Sequence, residues 1–433
     1  MISTYPEALA YLDRHIGAGV KPGLERIRLL VEAMGSPHLG VPTIHVAGTN
    51  GKTSTTRLSA LLLVAHGLST GTYTSPHLER IEERLGINGR IATPDELVQA
   101  VADVAAFAEI LEDRGDAHFT YFELTTAMAF AFFADQAVEA TVIEVGLGGR
   151  LDATNVVEAD VAVLTGVSLE HTEYLGPTVE AIAAEKLAIA GPDSILVTGP
   201  LEPAVFDLAE KRARELGIQH RAYGRDFSVD ATRAVKGWQI DIQGAEDDYP
   251  GLHLPVHGRH QTLNAAISVA AVEALLGRKL DPEAVAEATG VFDTPGRMEP
   301  VAGEPFVLLD GAHNEGGFAT LEDALDEEFP TTRWVLVLGV MGDKDLEGMI
   351  ARIASRVDAV ITTTVPEERA LPAAQIAARV APLVTVPVEP IGNPETALEV
   401  ARQRAGADGS VLVTGSLYLV GVVRQAALSD GGG

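Results

Sequence analysis

The sequence predicts an α/β protein made of two doubly wound parallel-sheet halves, and three observations lead there. The chain has 433 residues and is 46% hydrophobic, too long for one ordinary core and apolar enough to fold compactly. Apolar, β-branched runs alternate with helical stretches, once before the segment "DTPGRMEP" (293–300) and once after it. A glycine-rich turn, "HVAGTNGKTSTT" at 45–56, stands between a strand pattern and a helix pattern in the first half.

The elements follow in order. "YPEALAYLDRHI" and "PGLERIRLLVEAMG" have helical apolar spacing, the second expected to open at Pro22 and stop near Gly35. "PTIHVAG" reads as a strand, "TTRLSALLLVAHG" as a helix and "STGTYTS" as a returning strand. "TPDELVQAVADVAAFAEILEDRG" is a long helix with Thr93 as cap and Pro94 as its first residue. "FELTTAMAFAFFADQ" is apolar nearly all round, the mark of a buried helix. "ATVIEVG", "ADVAVLTGV" and "SILVTG" are strands of the kind buried on both faces of a parallel sheet. Residues 220–257 lose helical spacing and read as short antiparallel strands, before "RHQTLNAAISVAAVEALLG" resumes as helix. "PFVLLDG", "WVLVLGV", "DAVITTTV" and "SVLVTGS" then give a second, smaller sheet. The expected domains are 1–294 and 295–433, with Gly431 to Gly433 as a tail.

Composition narrows the function. There are no cysteines, which excludes disulfides, thiolate metal sites and a cysteine nucleophile. The net charge of −29 argues against a nucleic-acid partner, whose backbone calls for a basic surface. No charged-then-apolar leader opens the sequence, and no apolar run is long enough to span a bilayer. The expectation is a cytoplasmic monomer that does not engage a membrane.

The glycine turn is a variant phosphate loop. Gly51, Lys52 and Thr53 supply the second half of G-x-x-x-x-G-K-[ST], but Val46 stands at the first glycine, and Gly48 and Asn50 make the turn. Small residues let backbone N–H groups approach phosphate oxygens at the start of a helix. Lys52 can bridge β- and γ-phosphates, and Thr53 or Ser54 can meet Mg²⁺. Glu144 ends a buried strand, where a carboxylate is costly unless it meets a cation, so it is a Mg²⁺ candidate. His171 in "SLEHTEYLG" offers a neutral nitrogen donor, and Ser75 in "TSPHL" a hydroxyl. Lys186 lies in an otherwise apolar helical stretch, where the bland alternative is snorkelling to solvent. The run Gly146–Gly149 fails as a dinucleotide fingerprint, because Leu151 replaces the last glycine and no helix pattern follows. In the second half, Asp310 in "LLDGAHNEGG" suits ribose hydroxyls or a capping turn, beside His313, and Arg297 is placed to reach a phosphate.

These motifs carry a resemblance. "GTNGKTS", "TSPHL…ING", "FELTT", "EVGLGGRLDATN", "EHTEYLG", "EKLAI", "HQTLNA", "PGRMEP", "DGAHN" and "GVMGDKD" occur in the order seen in folylpolyglutamate and dihydrofolate synthases, of the Mur ligase superfamily. The resemblance runs from about residue 5 to about 425, with Thr53 where the family often has glycine. It implies a P-loop parallel-sheet ATPase domain followed by a Rossmann-like glutamate-ligase domain. It also implies an ATP-dependent amide ligase that joins L-glutamate to dihydropteroate or a folate through an acyl phosphate. Carried over by motif, Gly48, Thr49, Asn50, Gly51, Lys52, Thr53 and Ser54 hold ATP, with Asn264, Arg297 and Asp310 closing on it and His313 alongside as a catalytic residue. Phe122, Glu123, Leu124 and Thr125, with Leu151, Asp152 and Ala153, contact the pterin-bearing substrate. Thr53, Ser75, Glu144 and His171 bind two Mg²⁺ ions, joined by Lys186 as a CO₂-derived carbamate. The rival is a Mur ligase acting on a wall precursor, but only about 45 residues precede the loop, too few for the usual UDP-sugar domain. A non-catalytic nucleotide switch would leave His171 and Lys186 unexplained.

Overall fold

The computed structural model describes residues 2–19 and 21–430, so the expected glycine tail lies outside the described residues. The chain forms two compact units. One holds residues through Thr232 with Gln239–Leu254 and Thr262–Phe292; the other holds Arg233–Trp238, Pro255–Gln261 and residues from Asp293 onward.

The first unit is built on an eight-stranded sheet. Its strands are β1 (Thr43–Ala47), β2 (Thr70–Tyr73), β3 (Leu85–Ile87), β4 (Arg90–Ile91), β5 (Ala140–Glu144), β6 (Val161–Leu164), β7 (Ile195–Thr198) and β8 (His220–Ala222), in the order β4-β3-β2-β5-β1-β6-β7-β8. All run parallel except β3 and β4, which form an antiparallel edge. The central strands β1, β5 and β6 are buried at every residue, as their continuous apolar patterns require. Their carboxyl ends lie side by side, which is where open α/β sheets bind ligands. A three-stranded meander, β9 (Ser228–Arg233), β10 (Trp238–Gln243) and β11 (Asp248–Leu254), buries alternate residues Trp238, Ile240 and Ile242 of its middle strand.

The second unit carries a six-stranded sheet: β12 (Glu299–Val301), β13 (Phe306–Leu309), β14 (Trp334–Leu338), β15 (Val357–Thr362), β16 (Val388–Pro390) and β17 (Ser410–Thr414). Their order is β12-β13-β17-β14-β15-β16, parallel apart from the edge strand β12.

Most expected elements are present, with three corrections. The second helix is Glu25–Ala33 and does not open at Pro22, because Gly23 sits at φ +140°, outside helical space. Residues 220–222 pair parallel to β7 and extend the main sheet, so only β9 to β11 make the separate set. The short edge strands β12 and β16 have no apolar run to announce them. The long helix Pro94–Asp113 begins as read, with a capping box between Thr93 and Glu96. Among the described residues, no helix is long and apolar enough to cross a membrane.

Candidate active site

The turn after β1 is held open by two glycines at positive φ, where a larger residue would be strained. Gly48 has φ +153°, and a Cβ there would overlap the Thr165 hydroxyl; Gly51 has φ +83°, and a Cβ would stand 2.5 Å from Asn264 Oδ1. The loop is tied to the end of β6: Thr49 N–H donates to Gly166 O (2.9 Å) and Thr165 Oγ1 to Asn50 O (2.6 Å). Gly51 caps the helix Lys52–Ala65 in the left-handed conformation, so the first helical N–H groups face the loop. Asn264, on the helix His260–Leu276, is thereby placed against the loop. Lys52 curls over it, donating to Gly48 O (3.0 Å) and Thr49 O (3.1 Å).

Two parallel-strand ends and the first turn of the helix Lys52–Ala65 deliver oxygen atoms beside this loop. Glu144 closes β5 and is 1% exposed. It accepts from Thr53 Oγ1 (2.9 Å) and from Ser75 N–H (3.2 Å), just beyond β2. The Ser75 hydroxyl is buried and has no hydrogen-bond partner. Thr53 is therefore the hydroxyl that meets Glu144, while Ser54 is buried in the helix beside it. No group of three or more His, Asp or Glu side chains converges on a metal position among the described residues. The candidate donor set is instead one carboxylate and two hydroxyls, hard oxygens suited to Mg²⁺.

Lys186 is buried, 2% exposed, and does not reach solvent. It is not alone, as the apolar stretch implied: it donates to Glu170 Oε1 and to Gly48 O, both at 2.8 Å. Burial pushes the Lys186 amine down, and Glu170 partly offsets that. Burial alone would raise Glu170, but the charges of Lys186 and Lys52 hold its carboxyl at about 2. Glu170 escaped the sequence reading. Its signal was an acid directly before His171, in a chain whose buried lysine needed a counter-ion. His171 itself occupies an exposed left-handed position (φ +46°) next to Glu170 and starts the helical turn Thr172–Leu175.

The residues assigned to the pterin-bearing substrate separate into two groups. The Phe122 ring lies on Gly146, where a Cβ would overlap it, and Thr125 Oγ1 meets the Tyr73 hydroxyl at 3.1 Å. Leu151 is 38% exposed. Glu123 and Leu124 have structural contacts of their own. Glu123 forms a capping box with Thr120 and pairs with Arg26 (2.9 Å), and Leu124 is fully buried in the core. Ala153 is buried as well, whereas Asp152 is fixed by Leu147 N–H, Thr154 N–H and Thr154 Oγ1. Gly149 packs within 2.6 Å (Cβ position) of Glu185 O, so this glycine serves close packing against the Lys186 helix.

In the second unit, Arg297, Asp310 and His313 come together after β13. Asp310 accepts from Met298 N–H and Ala312 N–H, both 2.9 Å, and so builds the turn. Burial raises its carboxyl, and the Arg297 charge works against that. The Arg297 guanidinium covers Gly311, leaving no room for a Cβ, and His313 Nδ1 lies 2.8 Å from Gly311 O.

A phosphate loop beside a carboxylate–hydroxyl cluster, followed by a second doubly wound unit, defines a nucleotide-binding protein of two α/β units. Residues 46–272 match the Mur ligase middle domain, and residues 296–417 match the Mur ligase glutamate ligase domain. The chain belongs to the dihydrofolate synthase/folylpolyglutamate synthase family. It is 38% identical over 372 residues to the dihydrofolate synthase/folylpolyglutamate synthase of Mycobacterium tuberculosis, covering 81% of this chain and 76% of that one. It is 32% identical over 439 residues to the enzyme of the same name in Bacillus subtilis, covering 98% and 99%. The solved structure of Mycobacterium tuberculosis folylpolyglutamate synthase complexed with ADP superposes with a TM-score of 0.93 at 34% identity, covering 98% of each chain. That of E. coli FolC in complex with DHPP and ADP gives 0.87 at 30% identity, covering 98% and 97%. This membership removes the wall-precursor ligase as the rival reading.

Proposed function

We propose that this chain joins the α-amine of L-glutamate to the carboxylate of dihydropteroate, and extends folates in the same way, with ATP consumed through an acyl phosphate. It acts as a cytoplasmic monomer, with residues 1–294 as the ATP-binding domain and 295–433 as the glutamate-ligase domain. The observation that supports it is the cluster of Thr53, Glu144 and Ser75 at the mouth of the phosphate loop. The loop N–H groups and Lys52 orient the γ-phosphate; the protein's work is positioning and charge neutralisation. A carboxylate gains a leaving group only once phosphorylated, after which the glutamate amine attacks and phosphate departs. Arg297 and Asp310 serve the nucleotide, and His313 the reacting end.

The unpartnered Ser75 hydroxyl fits a metal ligand, and Thr53, Ser75 and Glu144 would hold Mg²⁺, with His171 near a second ion. When bound, Mg²⁺ would neutralise charge on the β- and γ-phosphates. Lys186 is the candidate for carbamylation. Its burial favours the neutral amine that reacts with CO₂. A carbamate would turn its attraction to Glu170 into repulsion, which only a bound cation offsets. The ¹³C signal of a carbamate formed from labelled bicarbonate should therefore appear with Mg²⁺, vanish with EDTA, and be missing in Lys186→Ala. A signal indifferent to both treatments refutes the assignment.

The function is tested with ATP, glutamate and either dihydropteroate or tetrahydrofolate, scoring product mass. Product from dihydropteroate, and its loss in Lys52→Ala with folding retained, supports the reading. ATP turnover without any glutamylated product overturns it.

A further inference from the structure

His45 is an unusual residue for the middle of β1. It is fully buried between β5 and β6, opposite Ile143 and Ala162, where an aliphatic side chain would pack at no polar cost. Its Nδ1 has no hydrogen-bond partner. Burial pushes its pKa down to about 3, so the ring is neutral under working conditions. Its other nitrogen, Nε2, lies 2.8 Å from Thr154 Oγ1.

Burial raises the Asp152 carboxyl while its hydrogen-bond donors work to keep it ionised, and with Asp152 as the carboxylate the direction of this contact follows. Asp152 is surrounded by donors: Leu147 N–H meets Oδ2 at 2.8 Å, and Thr154 N–H meets Oδ1 at 3.0 Å. The Thr154 hydroxyl donates to the same Oδ1 at 2.5 Å. Having given its proton to Asp152, the Thr154 oxygen accepts from His45, which is then the Nε2–H tautomer. The chain His45 → Thr154 → Asp152 thus runs one way and ends on a carboxylate. It joins the strand that feeds the phosphate loop to the turn at 152–156.

We propose that His45 is a positioning residue for the pteroyl substrate: through Thr154 it fixes the Asp152 carboxylate and its turn. This rests on the reading that Asp152 contacts that substrate. A neutral, non-titrating donor suits the task, since it orients the hydroxyl without bringing a charge into the core.

The test begins with the wild type, whose failure to glutamylate any pteroyl substrate would refute the proposed function and not this inference. With active wild type, His45→Leu should raise KM for the pteroyl substrate about tenfold and leave KM for ATP within about twofold. His45→Gln places an amide N–H near the Nε2 position and should restore most of the affinity. Thr154→Val, which removes both the acceptor for His45 and the hydroxyl donor to Asp152, should raise the same KM at least as much as His45→Leu, and the double variant should be no worse than Thr154→Val. If His45→Leu does not fold, Thr154→Val decides. Equal shifts in both KM values, a loss confined to kcat, or a Gln variant no better than Leu overturns the proposal.

Discussion

Glu170 and Lys186 form the most consequential pair near the loop, with side chains 9% and 2% exposed. The Glu170 carboxyl is held at about 2 against an ordinary value of 4.5. A depressed carboxyl stabilises the fold fully above its unfolded pKa, and the contribution is lost as pH falls through the folded one. Stability should therefore decline between pH 4.5 and about 2. Glu170→Gln should flatten that part of an acid unfolding curve, and at neutral pH should cost roughly 3 kcal/mol by leaving Lys186 without its counter-ion. An acid limb unchanged in the variant contradicts the argument. The pair also shows what sequence can yield at this scale. A lysine in an apolar helix was visible as buried; its partner, 16 positions away, was not, since only the fold brings them together. Glu123 is the reverse case. Thr120-x-x-Glu123 is a capping-box pattern legible in the sequence, and the structure forms that box.

Among elements, the loop between β1 and the helix Lys52–Ala65 owes its path to Gly48. With φ +153° and the Thr165 hydroxyl against it, Gly48→Ala must strain the backbone and push β6 away, costing about 1–3 kcal/mol. Because Thr165 also holds Asn50, the displacement reaches the phosphate-binding N–H groups. ADP binding by calorimetry should weaken at least about tenfold, or roughly 1.4 kcal/mol. Thr93→Ala is the contrast: it removes a helix cap remote from the loop, should cost about 1 kcal/mol, and should leave ADP binding intact. Equal nucleotide affinity in both variants would sink the claim. Elements with caps, such as the one at Thr93, or continuous apolar runs, such as β1, β5 and β6, were legible in the sequence. The edge strands were not, because their pairing depends on a neighbour and not on their own pattern.

At the scale of the molecule, the net charge of −29 meets a substrate that is itself an anion. The immediate surroundings of the loop do not offset this. Lys52 and Lys186 beside the loop equal Glu144 and Glu170 in number, so the four formal charges sum to zero before any metal binds. Phosphate recognition then rests on backbone N–H groups at short range, while the approach is governed by the acidic field of the whole chain. Screening weakens that field: the Debye length shrinks from about 30 Å at 0.01 M to about 8 Å at 0.15 M salt. At fixed Mg²⁺, the association rate of ATP should therefore rise, and its KM fall, as salt is raised across that range. The opposite trend, with KM climbing as salt is added, is the behaviour of a cationic site that attracts its substrate. It would show that charges outside these four residues dominate the entrance. A stopped-flow series with a fluorescent ATP analogue separates the two, because screening of a long-range repulsion acts on the association rate and leaves dissociation nearly unchanged.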